Sequence, residues 1–284
     1  MLQTLINGLL QAGTYLLMAM GLNLIFSAMR VVNFAHGAMV TFGGLLVFTL
    51  VASEHVNVVL AVVISALAMA AVGGAIQTLV IERIRAIGNR AELLSLVATY
   101  GLALILANVA NEVFGSAYES LPTFQGSWSV GELTLGRAYA IGGAVGAVGS
   151  ILVYLWLHRT NTGKRVVATT ESRIGAEACG VSSLAVRRIA FAMGAGLAGL
   201  AGGITILQLA LTPDTGDNFT IIAFVIIAIG GVGSFRGAVA GSILLGVAQS
   251  TSGYLWGGTV EGLTPYVVLL AVMLIRAERA SYVL

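Results

Sequence analysis

Residues 1–30 read MLQTLINGLLQAGTYLLMAMGLNLIFSAMR, and the first charged side chain in the chain is the Arg30 that closes this run. The 29 residues before it exceed the roughly 20 apolar residues that carry a helix across a ~30 Å hydrocarbon core. Leu, Ala and Met dominate and no proline interrupts, so the run reads as a membrane-spanning helix. It has no basic leading segment and no clear small-residue cleavage site, which marks it as a retained helix and not a removed signal peptide.

The same pattern recurs along the chain. Charge-free stretches of fourteen or more residues cover 1–29, 31–53, 55–81, 93–111, 138–158, 189–213, 218–235, 237–260 and 262–275. Eight of these nine reach spanning length, and the short last one is flanked by Glu261 and Arg276, which can snorkel outward. Only 26 of 284 residues are charged and 58% are hydrophobic. A soluble domain of this length would carry roughly 70 charges, so a soluble globule is excluded. The expected fold is all-α: a polytopic bundle of about 8–9 transmembrane helices in one domain over residues 1–284.

Positive residues favour the cytoplasmic side. With the N-terminus outside and all nine stretches crossing, the inside collects Arg30, Arg83, Arg85, Arg90, Arg159, Lys164, Arg165, Arg173, Arg187, Arg188, Arg236, Arg276 and Arg279. Only Arg137 stays outside, where Glu54, Glu112, Glu119, Glu132, Asp214, Asp217 and Glu261 gather. Discarding the last stretch would strand Arg276 and Arg279 outside, and a re-entrant segment around 31–53 or 218–235 would also alter the count. Two loops remain: an outer one, 112–137, with Trp128 as an interfacial anchor, and a charged inner one, 158–188.

Several chemistries have no residues to carry them. The only lysine, Lys164, is not in a P-loop, and neither H-E-x-x-H nor G-x-S-x-G occurs. One cysteine, Cys179, allows no internal disulfide, and no Cys/His cluster suggests a metal. Catalytic residues, metal, cofactor and nucleic-acid partner are therefore not expected. No Asp, Glu, Lys or Arg falls inside the nine stretches, whereas self-powered pumps place ionisable groups there. A transport protein with neither an ATP site nor an ion-coupling site draws its energy from partners.

Within the spans, Asn23, Asn33, His36, Thr99 and Gln249 are candidate pathway residues; each also reads as an interhelical hydrogen bond, as do Gln11, Gln77, Asn108 and Gln208. Glycines along 142–149 and 194–203 let helices approach closely. The cluster Gly230, Gly231, Gly233, Ser234 and Gly237 interrupts two apolar runs and reads as a hinge or re-entrant turn. In the inner loop, Glu171 to Cys179 reads as a short helix ended by Gly180. Lipid-headgroup contact and docking of a cytoplasmic partner are its two readings.

The runs Gly21-Leu22-Asn23-Leu24-Ile25-Phe26 and Met29-Arg30-Val31-Val32-Asn33-Phe34-Ala35-His36-Gly37 resemble the opening signature of the LivH-like permeases of branched-chain amino acid ABC importers. Three later blocks agree in order: Arg159 to Gly163 with Glu177 to Val181, Ala190 to Ala195 with Leu197 to Gly202, and Gly230 to Ser234 with Gly237-Ala238. The resemblance covers essentially the whole chain. It implies a bacterial or archaeal inner-membrane permease subunit that pairs with a second similar permease. Two cytoplasmic ATP-binding subunits would drive it, and an extracytoplasmic solute-binding protein would deliver a branched-chain or related amino acid. Glu171, Arg173, Ala176, Glu177 and Gly180 would belong to the ATPase coupling helix, and Asn33 and His36 to a segment near the pathway. Many relatives carry Glu after the His-Gly pair where this chain has Ala38, which leaves the role of that carboxylate and the substrate open; urea or a short amide is the alternative within the family, and Phe34, where urea-transporting relatives often have Met, favours amino acids. An ion-coupled transporter or channel working alone is the reading from another class.

Overall fold

The computed structural model describes residues 1–87, 91–124, 126–131 and 133–281. Arg90 and Glu132 lie outside the described residues, as do the side chains of Arg276 and Arg279. The chain is a helical bundle. Helix α1 (Leu2–Met29) is followed by α2 (His36–Ala52), then by one rod made of α3 (Val58–Ile76), a π turn (Gln77–Ile81) and α4 (Glu82–Arg85). After α5 (Ala91–Phe114) comes a hairpin of β1 (Ser127–Val130) and β2 (Leu133–Gly136), then α6 (Arg137–Arg159), α7 (Asn161–Glu171) and α8 (Arg173–Ala178). The last part holds α9 (Ser183–Gln208), a 3-10 turn (Pro213–Thr215), α10 (Gly216–Gly230), α11 (Phe235–Trp256) and α12 (Gly258–Ser281).

Each charge-poor stretch carries a helix, and seven helical segments are long and apolar enough to cross a membrane. The 17-residue α2 is shorter, and α11 has the length but carries Arg236 and the polar run Gln249 to Ser252. α1 and α9 form the centre, with 72% of each spanning window buried, whereas the windows of α3, α5 and α6 are 22% buried and that of α12 is 11%. The outer helices turn Leu67, Ile105, Leu152 and Leu270 outward, as chains facing lipid or an apolar partner do. This is a multi-pass membrane protein.

Small residues set the distance between helices. Gly13 of α1 meets Gly143 and Gly146 of α6, and Gly43 and Gly44 of α2 meet Gly199 and Gly202 of α9, so both glycine-rich faces read from the sequence are packing faces. At the centre the pairing is reciprocal: a Cβ on Gly21 would stand 2.7 Å from the Gly194 carbonyl oxygen, and one on Gly194 would stand 2.6 Å from that of Gly21.

Each of these two central helices is followed by a non-helical segment that turns back. α1 ends at Arg30, left-handed at φ 52, and residues 31–35 run on without helix, largely buried. They double back along α1, because His36 Nε2 sits 2.8 Å from the carbonyl oxygen of Met18, about 16 Å before the end of that helix at 1.5 Å per residue. After α9, residues 209–215 likewise return into the bundle. Leu211 reaches Gly44 and forms a bridge with Glu119, and Gly216 packs on Gly37 and Ala38. Two corrections follow. The span expected over 31–53 is helical only from His36 to Ala52, and Asp214 and Asp217, counted as outer-loop residues, are carried inward with the returning chain.

Candidate functional site

Non-helical backbone at membrane depth survives only where protein groups take over its hydrogen bonds, and the broken segment 31–37 shows which groups do so. The Asn33 side-chain oxygen accepts from the Ala35 N–H at 3.2 Å. Thr99 of α5 accepts from the Phe34 N–H at 3.3 Å and reaches the Val32 carbonyl at 3.2 Å. Thr220 of α10 accepts from the Gly37 N–H at 3.0 Å and lies 3.3 Å from the Phe34 carbonyl. Since a carbonyl only accepts, His36 donates to Met18 from Nε2, which leaves Nδ1 as an acceptor; among the described residues it is buried without a partner, as is Asn33 Nδ2. The Phe34 ring closes the hub against Phe224 at 5.6 Å and Tyr100 at 6.4 Å.

Asn33, His36 and Thr99 are thus brought together, fully buried, while the other two candidate pathway residues lie elsewhere. Asn23 binds the α10–α11 turn, and Gln249 donates to the Glu261 carbonyl at 3.4 Å between α11 and α12. Thr220 was not read from the sequence; its only local signal is a hydroxyl one turn after Pro213-Asp214-Thr215-Gly216.

Beside the hub, Ala38, Asn108, Asn111, Asp214, Gly216 and Asp217 line a cleft of about 130 Å³ between α2, α5 and the start of α10. It reaches from Asn111 down to Ala103, about 12 Å along α5 at the helical rise. Asp214 and Asp217 precede and open α10, which places both carboxylates at the N-terminal end of that helix. Asn108, which lines the cleft, donates to the Leu104 carbonyl at 2.8 Å, and its side-chain oxygen remains an acceptor. The cleft is chemically suited to a group that carries positive charge and N–H donors.

At the opposite end, Gly231 and Gly233 take φ 87 and 76, values that favour glycine. The Gly233 N–H donates to the Asn23 side-chain oxygen at 2.7 Å, and Ser234 caps α11 by accepting from the Gly237 N–H at 3.0 Å. Gly230 and Gly237 lie against each other in a turn with no room for a Cβ on either. Gly233→Ala is expected to cost about 1–2 kcal/mol for its left-handed backbone, read as a lowered unfolding midpoint of the purified protein; an unchanged midpoint would show that the turn relaxes freely.

The charged loop forms two helices where one was expected. Glu171 ends α7, and Ser172 breaks the chain and caps α8 by accepting from the Gly175 N–H at 3.1 Å. Gly180 follows at φ 78 with its N–H on the Glu177 carbonyl at 2.9 Å, the helix-ending role the sequence suggested. Arg173 pairs with Glu177 at 3.0 Å, and the Ser183 hydroxyl donates to the same carboxylate oxygen at 2.6 Å. The Ser183 hydrogen bond, then the Arg173 guanidinium, hold the Glu177 carboxyl below the usual carboxylate range. Within α8, Ala176 is buried on the inner face, and Ile174 projects outward, 82% exposed.

A family model described as the permease component of the branched-chain amino acid transport system matches residues 4–277. Among curated proteins, the high-affinity branched-chain amino acid transport system permease protein BraD of Pseudomonas aeruginosa is 28% identical over 97% of this chain and 94% of its own. LivH of Escherichia coli K12, named in the same words, is 25% identical over 96% of this chain and 93% of its own. The probable LivH of Methanocaldococcus jannaschii is 25% identical over 87% and 80%. Among solved structures, PsaBC from Streptococcus pneumoniae in complex with Fab matches with a TM-score of 0.50 at 16% identity, covering 95% of this chain and 90% of that one. At that identity the likeness is one of fold.

Proposed function

Because the chain belongs to the family of branched-chain amino acid transport permease components, we propose that it is the membrane subunit of an ATP-driven importer for branched-chain or related apolar amino acids. The observation that carries the reading is the meeting of two short helices inside the bundle: the first turns of α2 and α10 touch at Gly37 and Gly216 and flank a cleft with two carboxylates. Discontinuous helices of this kind are where transporters form substrate pathways.

In this reading the N-terminus lies outside, so the arginine-rich end that holds α7 and α8 faces the cytoplasm. A solute-binding protein hands the amino acid to the face that bears Asp214 and Asp217, where its ammonium group meets their carboxylates at the start of α10. A second, similar permease closes the pathway. Two ATP-binding subunits dock on α8, and their closure moves it; Gly231 and Gly233 let the α10–α11 turn follow, which swings access from one side to the other. The chain contributes binding and motion, and the partners hydrolyse ATP.

Uptake of radiolabelled L-leucine by vesicles containing the permease pair, the ATPases and the binding protein tests this. Asp214→Asn with Asp217→Asn is expected to lower leucine uptake at least ~10-fold, a loss of about 1.4 kcal/mol. Transport of urea in place of leucine, insensitive to the two substitutions, would replace the amino-acid reading with the amide one. Transport by the chain alone would reject the importer.

A further inference from the structure

A second cavity, about 560 Å³, is framed by the first turns of α1, the end of α11, the start of α12 and β2. Gln3, Asn7 and Gln11 of α1 line it, and their four-residue spacing makes them one face of that helix. A polar stripe on an otherwise apolar helix needs partners, and most of its donors have found them within the chain. Gln3 Nε2 donates to Asn7 Oδ1 at 2.9 Å, while Gln3 Oε1 accepts from the Thr134 N–H at 2.9 Å. Gln11 Nε2 donates to the Tyr15 hydroxyl at 2.6 Å, and Ser250 to the Thr4 carbonyl at 2.8 Å.

Acceptors are left over. Among the described residues, Gln11 Oε1 and the Glu261 carboxylate receive no hydrogen bond, and Glu261 belongs to neither ion pair. The sequence placed Glu261 at a flank; it stands within α12 and lines the cavity, where no Lys or Arg accompanies it and the Met1 N-terminus, which also lines the cavity, forms no ion pair with it. Its side chain lies across Gly253, where a Cβ would come 2.5 Å from Oε2, so the glycine makes room for the carboxylate. A partly buried carboxylate without a counter-charge is costly, and an occupant that supplies positive charge together with N–H donors removes that cost.

We propose that this cavity binds a small ammonium-bearing ligand, with Glu261 taking the charge and Gln11 Oε1 accepting an N–H. The chemistry is shared by simple amines and by the α-ammonium of an amino acid. The site is separate from the α2–α10 cleft and does not depend on the importer reading.

Thermal unfolding of the purified full-length chain, titrated with methylammonium chloride, L-leucine and tetramethylammonium chloride, is the test, because a ligand that prefers the folded protein raises its midpoint. Methylammonium is expected to raise it, and tetramethylammonium, with the same charge and no N–H, is expected to do so at least ~10-fold more weakly by apparent Kd. Glu261→Gln, close in shape, and Gly253→Ala, which displaces the carboxylate but keeps its charge, should each weaken the response at least ~10-fold. The Asp214→Asn, Asp217→Asn variant should keep it. A response to leucine with the same Glu261 dependence identifies the ligand as an amino acid; a response to methylammonium alone identifies a simple amine. Equal shifts with tetramethylammonium, equal shifts in Glu261→Gln, or no shift with either N–H donor overturn the proposal.

Discussion

Gly37→Ala is expected to abolish transport and to lower stability by about 3 kcal/mol, the upper end of what overpacking costs. A Cβ on Gly37 would overlap the Gly216 carbonyl and crowd the backbone and hydroxyl of Thr220. Side chains can turn away from an added methyl, but here the opposing atoms are mostly backbone, held by the Gly37–Thr220 hydrogen bond of 3.0 Å. The first turns of α2 and α10 must then separate, which breaks that bond and exposes the Phe34 carbonyl that Thr220 also serves. Gly101→Ala is the control: nothing lies within 4 Å of a Cβ there, and alanine improves helix propensity by about 1 kcal/mol. Unfolding midpoints and uptake of the two variants check the expectation. A Gly37→Ala protein as stable and active as Gly101→Ala would show that the two helix starts do not need their close contact.

The second large effect concerns α8, the proposed docking helix. Ile174 is the apolar side chain that α8 offers to solvent, while Ala176 faces inward and the Arg173–Glu177–Ser183 cluster holds α8 against the start of α9. Ile174→Asp leaves the permease fold untouched, because the side chain is exposed, and places a charge in any apolar groove that receives it. Leucine uptake by the reconstituted importer is expected to fall about 30-fold, the size of a ~2 kcal/mol interface hot spot. Arg173→Ala with Glu177→Ala removes the brace and should uncouple ATP hydrolysis from uptake with the permease still in the membrane. Full uptake by both variants would reject α8 as the contact with the ATPases.

Much of this was legible locally. The helices sit on the charge-poor stretches, and Gly180 ends α8 as its position after a small-residue run suggested. The glycine cluster at 230–237 is a tight turn, as three glycines within four residues implied. The candidate site was only half legible. Asn33, His36 and Thr99 stood out as polar residues in apolar surroundings, yet the cleft beside them depends on Asp214 and Asp217, which a reading of charge along the chain placed in a loop. Charge alone does not distinguish a loop outside the membrane from one that turns back into the protein.

The sequence by itself determined residence in the membrane, the positions of the helices and the separation of a basic end from an acidic one. These follow from how each short segment partitions between water and hydrocarbon, a property of its own residues. Only the tertiary structure decided that 31–35 and 209–215 return into the bundle so that two helices begin face to face within it. An unwound segment at that depth depends on hydrogen-bond partners, and those of Phe34 and Gly37 come from Thr99 and Thr220, 65 and 183 residues away in the chain. No local pattern records that supply; the packing of α5 and α10 against α2 is what brings it into place.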